Sequence, residues 1–254
     1  GELLEKIKPG GTAVLNADDP KVLKLAKKTA LDVMFFGLSD NVAVRALSVK
    51  STAATVSFRL VLPAEEINIT LAATGRFMVH NALAAAAVGS TLGFSAAEIK
   101  AGLENFKGVS GRMNIIQTRK KVCIVDDTYN ANPASMQAAI AALGELKENN
   151  RGILVIGDML ELGHGAETLH REIGAFSART HTDRLYLTGD YAEAVKAGAV
   201  EGGADPGTIF SGSRAEILAD LTGRLEADDW VLVKGSRAMG MEKIVMGLKT
   251  WGDA

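Results

Sequence analysis

Apolar positions along this chain change their rhythm more than once. TAVLN at 12–16 is a short apolar run, Asp18-Asp19-Pro20 reads as a helix start with proline in the first turn, and VMFFG at 33–37 reads as a second strand. From Val42 to Ala73 apolar and polar residues alternate instead. TVSFRL at 55–60 and EINITL at 66–71, with Pro63 and Ala64 between them, predict a hairpin with one wet face. Two helices follow. One is centred on NALAAAA at 81–87; the other opens with a capping box from Ser95 to Glu98 and carries Ile99, Leu103 and Phe106 at helical spacing.

Past Gly108-Val109-Ser110-Gly111, the best candidate for a domain boundary, the pattern becomes a regular alternation. Short β runs (VCIVD, ILVIG, RLYLTG, TIFSG and WVLVKG) are separated by amphipathic helices. Met136, Ile140 and Leu143 form one helical stripe, Leu169, Ile173 and Phe176 another, and Ile217, Leu221 and Leu225 a third. A capping box from Ser213 to Glu216 opens what reads as the last helix. Repeated βα units with apolar strands predict an α/β fold, a mostly parallel sheet covered by helices on both faces. In such sheets ligands bind beyond the carboxyl ends of the strands. The unusual polar residues of this sequence follow the strands.

Composition narrows the picture. At 254 residues, and about 150 per domain, the chain holds one to two domains. A net charge of -2 argues against a general nucleic-acid binder. The single cysteine, Cys123, rules out an intrachain disulfide and reads as a buried strand residue rather than a nucleophile. No apolar run is long enough for a transmembrane helix, and GELLEKIKPG at the start is not a signal peptide, so a cytoplasmic protein is expected. The opening Gly1, in place of Met, hints at a longer protein.

Three strand ends carry candidate chemistry. In VCIVDDTYNANPASM, Asp126, Asp127, Tyr129, Asn130 and Asn132 lie between a strand and a helix beginning near Pro133. Asn132 as N-cap explains itself; two carboxylates and a tyrosine do not reduce to capping, and an acidic residue there suits ribose hydroxyls. Asp158 and Glu161 follow the next strand, as a solvated loop or as part of a site. Lys234, Ser236 and Arg237 end a third, as a basic solvated loop or as a carboxylate or phosphate site, since arginine grips carboxylates in a fork. His80, His164, His170 and His181 are scattered without metal-ligand spacing. No G-x-S-x-G, G-x-G-x-x-G after a strand or G-x-x-x-x-G-K-[ST] is present; Gly235–Gly240 has the glycine spacing but not the following lysine.

NADDP after the first strand, NALAAAA in a helix, Gly111-Arg112 at the junction, DDTYNANPASM, GDMLELG and VKGSRAMGMEK occur in this order. Together they resemble the Mur ligase family from end to end of the chain, and within it the branch that adds a dipeptide. DDTYNANP with GDMLELG and KGSR is the specific combination. The resemblance implies ATP-dependent ligation of D-alanyl-D-alanine to UDP-N-acetylmuramoyl-tripeptide through an acyl phosphate, with Mg2+, in peptidoglycan precursor synthesis. It further implies that residues 1–109 are the C-terminal part of a central ATPase domain with a β-hairpin-rich segment, and 110–254 a Rossmann-like C-terminal domain. The N-terminal domain, the phosphate loop and the principal metal ligands would lie upstream. This chain alone is therefore expected to be an incompetent ligase, a monomer, with its first strand at an exposed sheet edge.

Residue by residue, the resemblance gives Asn81 the adenine contact, with Phe77 and Met78 in place of the usual His-Asn pair. Arg112 matches an arginine that reaches the nucleotide on domain closure, and Asp127 the ribose-binding aspartate; Tyr129 and Asn132 border the nucleotide and acyl-phosphate region. Lys234, Ser236 and Arg237 fall where relatives bind the incoming amino acid or dipeptide. Arg237 or Lys234 would hold the D-alanyl-D-alanine carboxylate, and Ser236 would orient it. Asp158 and Glu161 would line the same cleft and pair with its ammonium group. Another Mur-type or folylpolyglutamate-type ligase, and a non-enzymatic α/β binding module, are the competing readings.

Overall fold

The computed structural model describes residues 1–52, 55–73, 77–180 and 182–254; His181 lies outside the described residues. The chain forms two compact units, Gly1–Lys107 and Gly108–Ala254.

In the first unit a short helix α1 (Glu2–Glu5) precedes β1 (Thr12–Asn16), α2 (Pro20–Ala26), β2 (Asp32–Gly37), β3 (Val44–Ser51), β4 (Val56–Val61) and β5 (Glu66–Leu71). The strands form one sheet in chain order, parallel through β1, β2 and β3 and antiparallel from β3 to β5. Among the described residues β1 pairs only with β2, so its other edge is open. Asp19 caps α2 through the Lys21 N–H, with Pro20 in the first turn as the sequence predicts. The predicted hairpin is β4–β5. Helix α3 (Phe77–Thr91) buries Val79, Ala82, Leu83, Ala86 and Ala87, one face at helical spacing, against Val44, Phe58, Leu60 and Ile69 of the sheet. The Ser95–Glu98 capping box forms and starts α4 (Ala96–Glu104). Phe106 departs from expectation: it lies beyond that helix and is exposed.

The second unit contains β6 (Asn114–Gln117), β7 (Cys123–Asp127), α5 (Pro133–Leu146), β8 (Gly152–Ile156), α6 (Ala166–Arg179), β9 (Arg184–Leu187), α7 (Ala192–Glu201), β10 (Ile209–Ser211), α8 (Arg214–Thr222), β11 (Trp230–Lys234) and α9 (Glu242–Asp253). The strand order is β10-β9-β8-β11-β7-β6, parallel throughout except for β6, which runs against β7. Alternation along each strand sorts the core into two layers. Val125, Leu154, Leu185 and Leu232 face α5, α6 and α7; Ile124, Val155, Tyr186 and Val233 face α8 and α9. Each such fully buried aliphatic side chain contributes about 1.5–3 kcal/mol, so the double cover is the main source of stability.

Three sequence expectations are corrected. The helix opened by Ser213 is followed by α9, so it is not the last, and Leu225 packs on the core from beyond its end. Cys123 sits at the start of β7 and is half-buried; burial and the Asp228 carboxylate push its thiol up, away from nucleophile behaviour. Helix α7 is one of the helices expected between the strands, although no stripe marks it, because its buried residues, Val195, Gly198 and Ala199, are small.

Candidate functional site at the carboxyl ends of the second sheet

Strands β7, β11 and β8 are neighbours. The chain leaves β7 into α5 and β8 into α6 on one face, but leaves β11 into α9 on the other. The loops after these three strands meet at the carboxyl end of the sheet, the place where open α/β sheets bind ligands.

Strand register decides what stands there. Lys234 is aligned with Asp127, and both point to the α5 face because they share the parity of Leu232 and Val125. The Lys234 Nζ donates to Asp127 Oδ2 at 2.5 Å and to the Asn130 carbonyl at 2.9 Å, while Met113 N–H donates to Asp127 Oδ1 at 3.1 Å. Lys234 is only 2% exposed, so it is a buried ion-pair member and not the end of a solvated basic loop. Asp126, of opposite parity, is buried on the other side and accepts from Gly111 N–H, Thr128 N–H and Thr128 Oγ1. The adjacent carboxylates thus do separate jobs.

Gly111 adopts a φ of +77°, and a Cβ there would press on the Tyr129 backbone at 3.1 Å. That tight approach sets Arg112 beside Tyr129: its guanidinium lies over the ring, 4.2 Å from the centroid, and both side chains are exposed. Asn132 is the N-cap of α5, in a reciprocal capping box with Ser135 and with Pro133 in the first turn. Asn132→Ala is expected to cost about 1 kcal/mol of stability, read as a lowered urea midpoint.

The loop after β8 is tied on several sides. Asp158 is buried; its Oδ2 accepts from Asp190 N–H at 2.7 Å and its Oδ1 from Tyr191 N–H at 3.1 Å, fixing the start of α7. Ser236 N–H donates to the Asp158 carbonyl at 2.9 Å, and Ser236 Oγ accepts from Leu160 N–H at 2.8 Å. So Asp158 and Ser236 brace the rim from within. Glu161, by contrast, is exposed, with a left-handed φ of +64°. Arg237 is exposed and, among the described residues, its side chain has no hydrogen-bond or ion-pair partner. It offers a complete guanidinium fork.

In the first unit Asn81 is exposed on α3 and borders an apolar groove of about 430 Å³ lined by Met78, Ala82, Phe94, Ile99 and Leu103. One helical position earlier, His80 Nε2 lies 3.1 Å from Asp18 Oδ2 in the NADDP loop. Burial raises the Asp18 carboxyl, but the Leu38 N–H, His80 and the Ser39 N–H outweigh it and hold the group below the usual carboxylate range. Asp18 and His80 are 62 positions apart, so no local pattern joins them. His170, which has no metal-ligand spacing in the sequence, is buried beneath the rim; its spacing of three from Ile173 on α6 is the signal that marks it.

A doubly covered open sheet with a guanidinium, an ion pair and anchored loops at its strand ends defines a class, the open and mostly parallel α/β domains. The match can be made closer. The Mur ligase middle domain matches residues 1–89, and the Mur ligase glutamate ligase domain matches 111–237. The chain is 32% identical over 256 residues to the UDP-N-acetylmuramoyl-tripeptide–D-alanyl-D-alanine ligase of Escherichia coli strain K12, covering 99% of this chain and 55% of that protein. Among solved structures it resembles MurF from Acinetobacter baumannii (TM-score 0.86, 30% identity, 98% of this chain and 54% of that one). It also resembles the MurF ligase of Thermotoga maritima in complex with ADP (TM-score 0.80, 26% identity, 96% and 54%). The chain belongs to the Mur ligase family. It spans about half the length of the curated relatives it matches.

Proposed function

We propose that this chain supplies the carboxyl-terminal half of a cytoplasmic ATP-dependent ligase that joins D-alanyl-D-alanine to UDP-N-acetylmuramoyl-tripeptide. In this reading residues 1–109 complete a central ATPase domain and 110–254 form the C-terminal domain. The observation that carries it is the exposed Arg237 at the rim beyond β11, with no side-chain partner among the described residues, in a chain similar along its whole length to dipeptide-adding ligases. ATP supplies the phosphoryl group that makes the tripeptide carboxylate an acyl phosphate, open to attack by the dipeptide amine. Arg237 binds the dipeptide carboxylate, and the Ser236 hydroxyl, which still has its proton to donate, orients it. Exposed Glu161 receives the ammonium group; Asp158 acts beneath it as a brace.

The residues also fit one side of a nucleotide. Arg112 and the Tyr129 ring are exposed together, and the Asp127 carboxylate keeps lone pairs beyond those used by Lys234 and Met113, enough to accept from ribose hydroxyls. In the first unit, taken by itself, Asn81 carries an exposed amide of the kind that suits a base edge. Mg2+ fits less well: among the described residues no three His, Cys, Asp or Glu side chains converge as a metal site, so no step through the ion is assigned to this chain.

Calorimetric titration tests the reading. Arg237→Ala is expected to weaken D-alanyl-D-alanine binding at least tenfold, because a charge-assisted hydrogen bond contributes about 1.5–3 kcal/mol, and to leave ADP binding unchanged. Asp127→Ala should do the reverse. Unaltered dipeptide affinity in Arg237→Ala would refute the assignment.

A further inference from the structure

His170 stands on α6 with its ring 1% exposed, too deep to touch any ligand. Its Nε2 accepts from Met159 N–H at 2.9 Å, and its Nδ1 lies 2.7 Å from the Ala166 carbonyl. Both contacts are satisfied by one species alone, the neutral ring with its proton on Nδ1. The same ring stacks on Tyr191, centroids 4.4 Å apart and planes within 15°. Tyr191 N–H in turn donates to Asp158, the residue before Met159. A closed circuit results, from Asp158 through Met159 to His170, across the stack to Tyr191 and back to Asp158.

The rim hangs on this circuit. Leu160, next along, donates its N–H to Ser236 Oγ, and Ser236 N–H donates to the Asp158 carbonyl. Arg237 follows Ser236 directly. Gly189 makes the closure possible: with φ +118° it leaves the Asp158 carboxylate a place that any Cβ would occupy.

We propose that His170 is a positioning residue for the ligand rim: its imidazole fixes the 158–161 loop, and through Leu160 and Ser236 it sets where Arg237 stands. The link to dipeptide binding rests on the function proposed above; the link to loop position does not.

Two measurements on the intact chain separate them. In His170→Leu the Met159 N–H loses its acceptor, and amide exchange at Met159 and Leu160 should speed up at least tenfold, while β7 and β11 keep their protection. D-alanyl-D-alanine should bind about tenfold more weakly, the cost of one orphaned hydrogen bond, with ADP affinity unchanged. His170→Gln, whose side-chain oxygen can accept where Nε2 did, should restore both. Unchanged exchange at Met159 in His170→Leu, or loss of dipeptide affinity that glutamine does not restore, would overturn the proposal. Should wild-type chain fail to bind the dipeptide, the functional reading falls and exchange at Met159 alone decides the role of His170. Should His170→Leu fail to fold, protection at Met159 in His170→Gln decides it, wild-type protection supporting the role and its loss refuting it.

Discussion

Gly174→Ala is expected to destabilise the second unit by about 3 kcal/mol or more, although alanine is the better helix former. Gly174 lies mid-way along α6, where helix propensity alone favours alanine by about 1 kcal/mol. Packing decides otherwise. A Cβ at Gly174 would overlap the Val195 carbonyl of α7, and one at Gly198 would overlap the Arg171 carbonyl of α6. The two glycines let these backbones touch. Rigid backbone cannot give way as a side-chain tip would, so overpacking here exceeds its usual cost of about 1–3 kcal/mol. Gly144 on α5 provides the control, since a Cβ there would meet only the Thr180 carbonyl at 3.9 Å. Gly144→Ala should raise the urea midpoint slightly while Gly174→Ala lowers it strongly; a rise in both would show that α6 and α7 are not held by backbone contact.

Lys234→Met is expected to cost about 3 kcal/mol, the typical loss on removing one partner of a buried ion pair. The methionine fills similar space, so the loss is electrostatic: Asp127 would keep only the Met113 N–H against its charge. The partner test is sharper. In Lys234→Met with Asp127→Asn no charge remains to be orphaned, and the double variant should recover much of the lost stability. A four-chain cycle of urea denaturation reads the coupling. Strictly additive losses would mean that the pair is not energetically linked.

Elements with strong local signals were legible in the sequence. The capping boxes at Ser95 and Ser213, the Asn132-Pro133 start and the β4–β5 hairpin all follow from spacing and side-chain chemistry, and all form. So does the parallel sheet between two helical layers. Long-range facts were not legible. Nothing local says that β11 inserts between β8 and β7, and that insertion is what brings Lys234 to Asp127 and Ser236 to Leu160. Asp158 and Glu161 look alike in a loop sequence, yet one is buried and doubly hydrogen-bonded and the other faces solvent. Strand parity separates Asp126 from Asp127 only once their neighbours are known.

The cross-linked loops have an entropic consequence. Segments beyond sheet strands usually lose freedom when a ligand arrives, and that loss is deducted from affinity. Here the turns after β8, β9 and β11 are already immobilised on one another through Asp158, Ser236 and His170. A carboxylate reaching this rim would freeze little beyond itself and the Arg237 side chain, so its association should show a heat-capacity change set by desolvation and not by coupled folding.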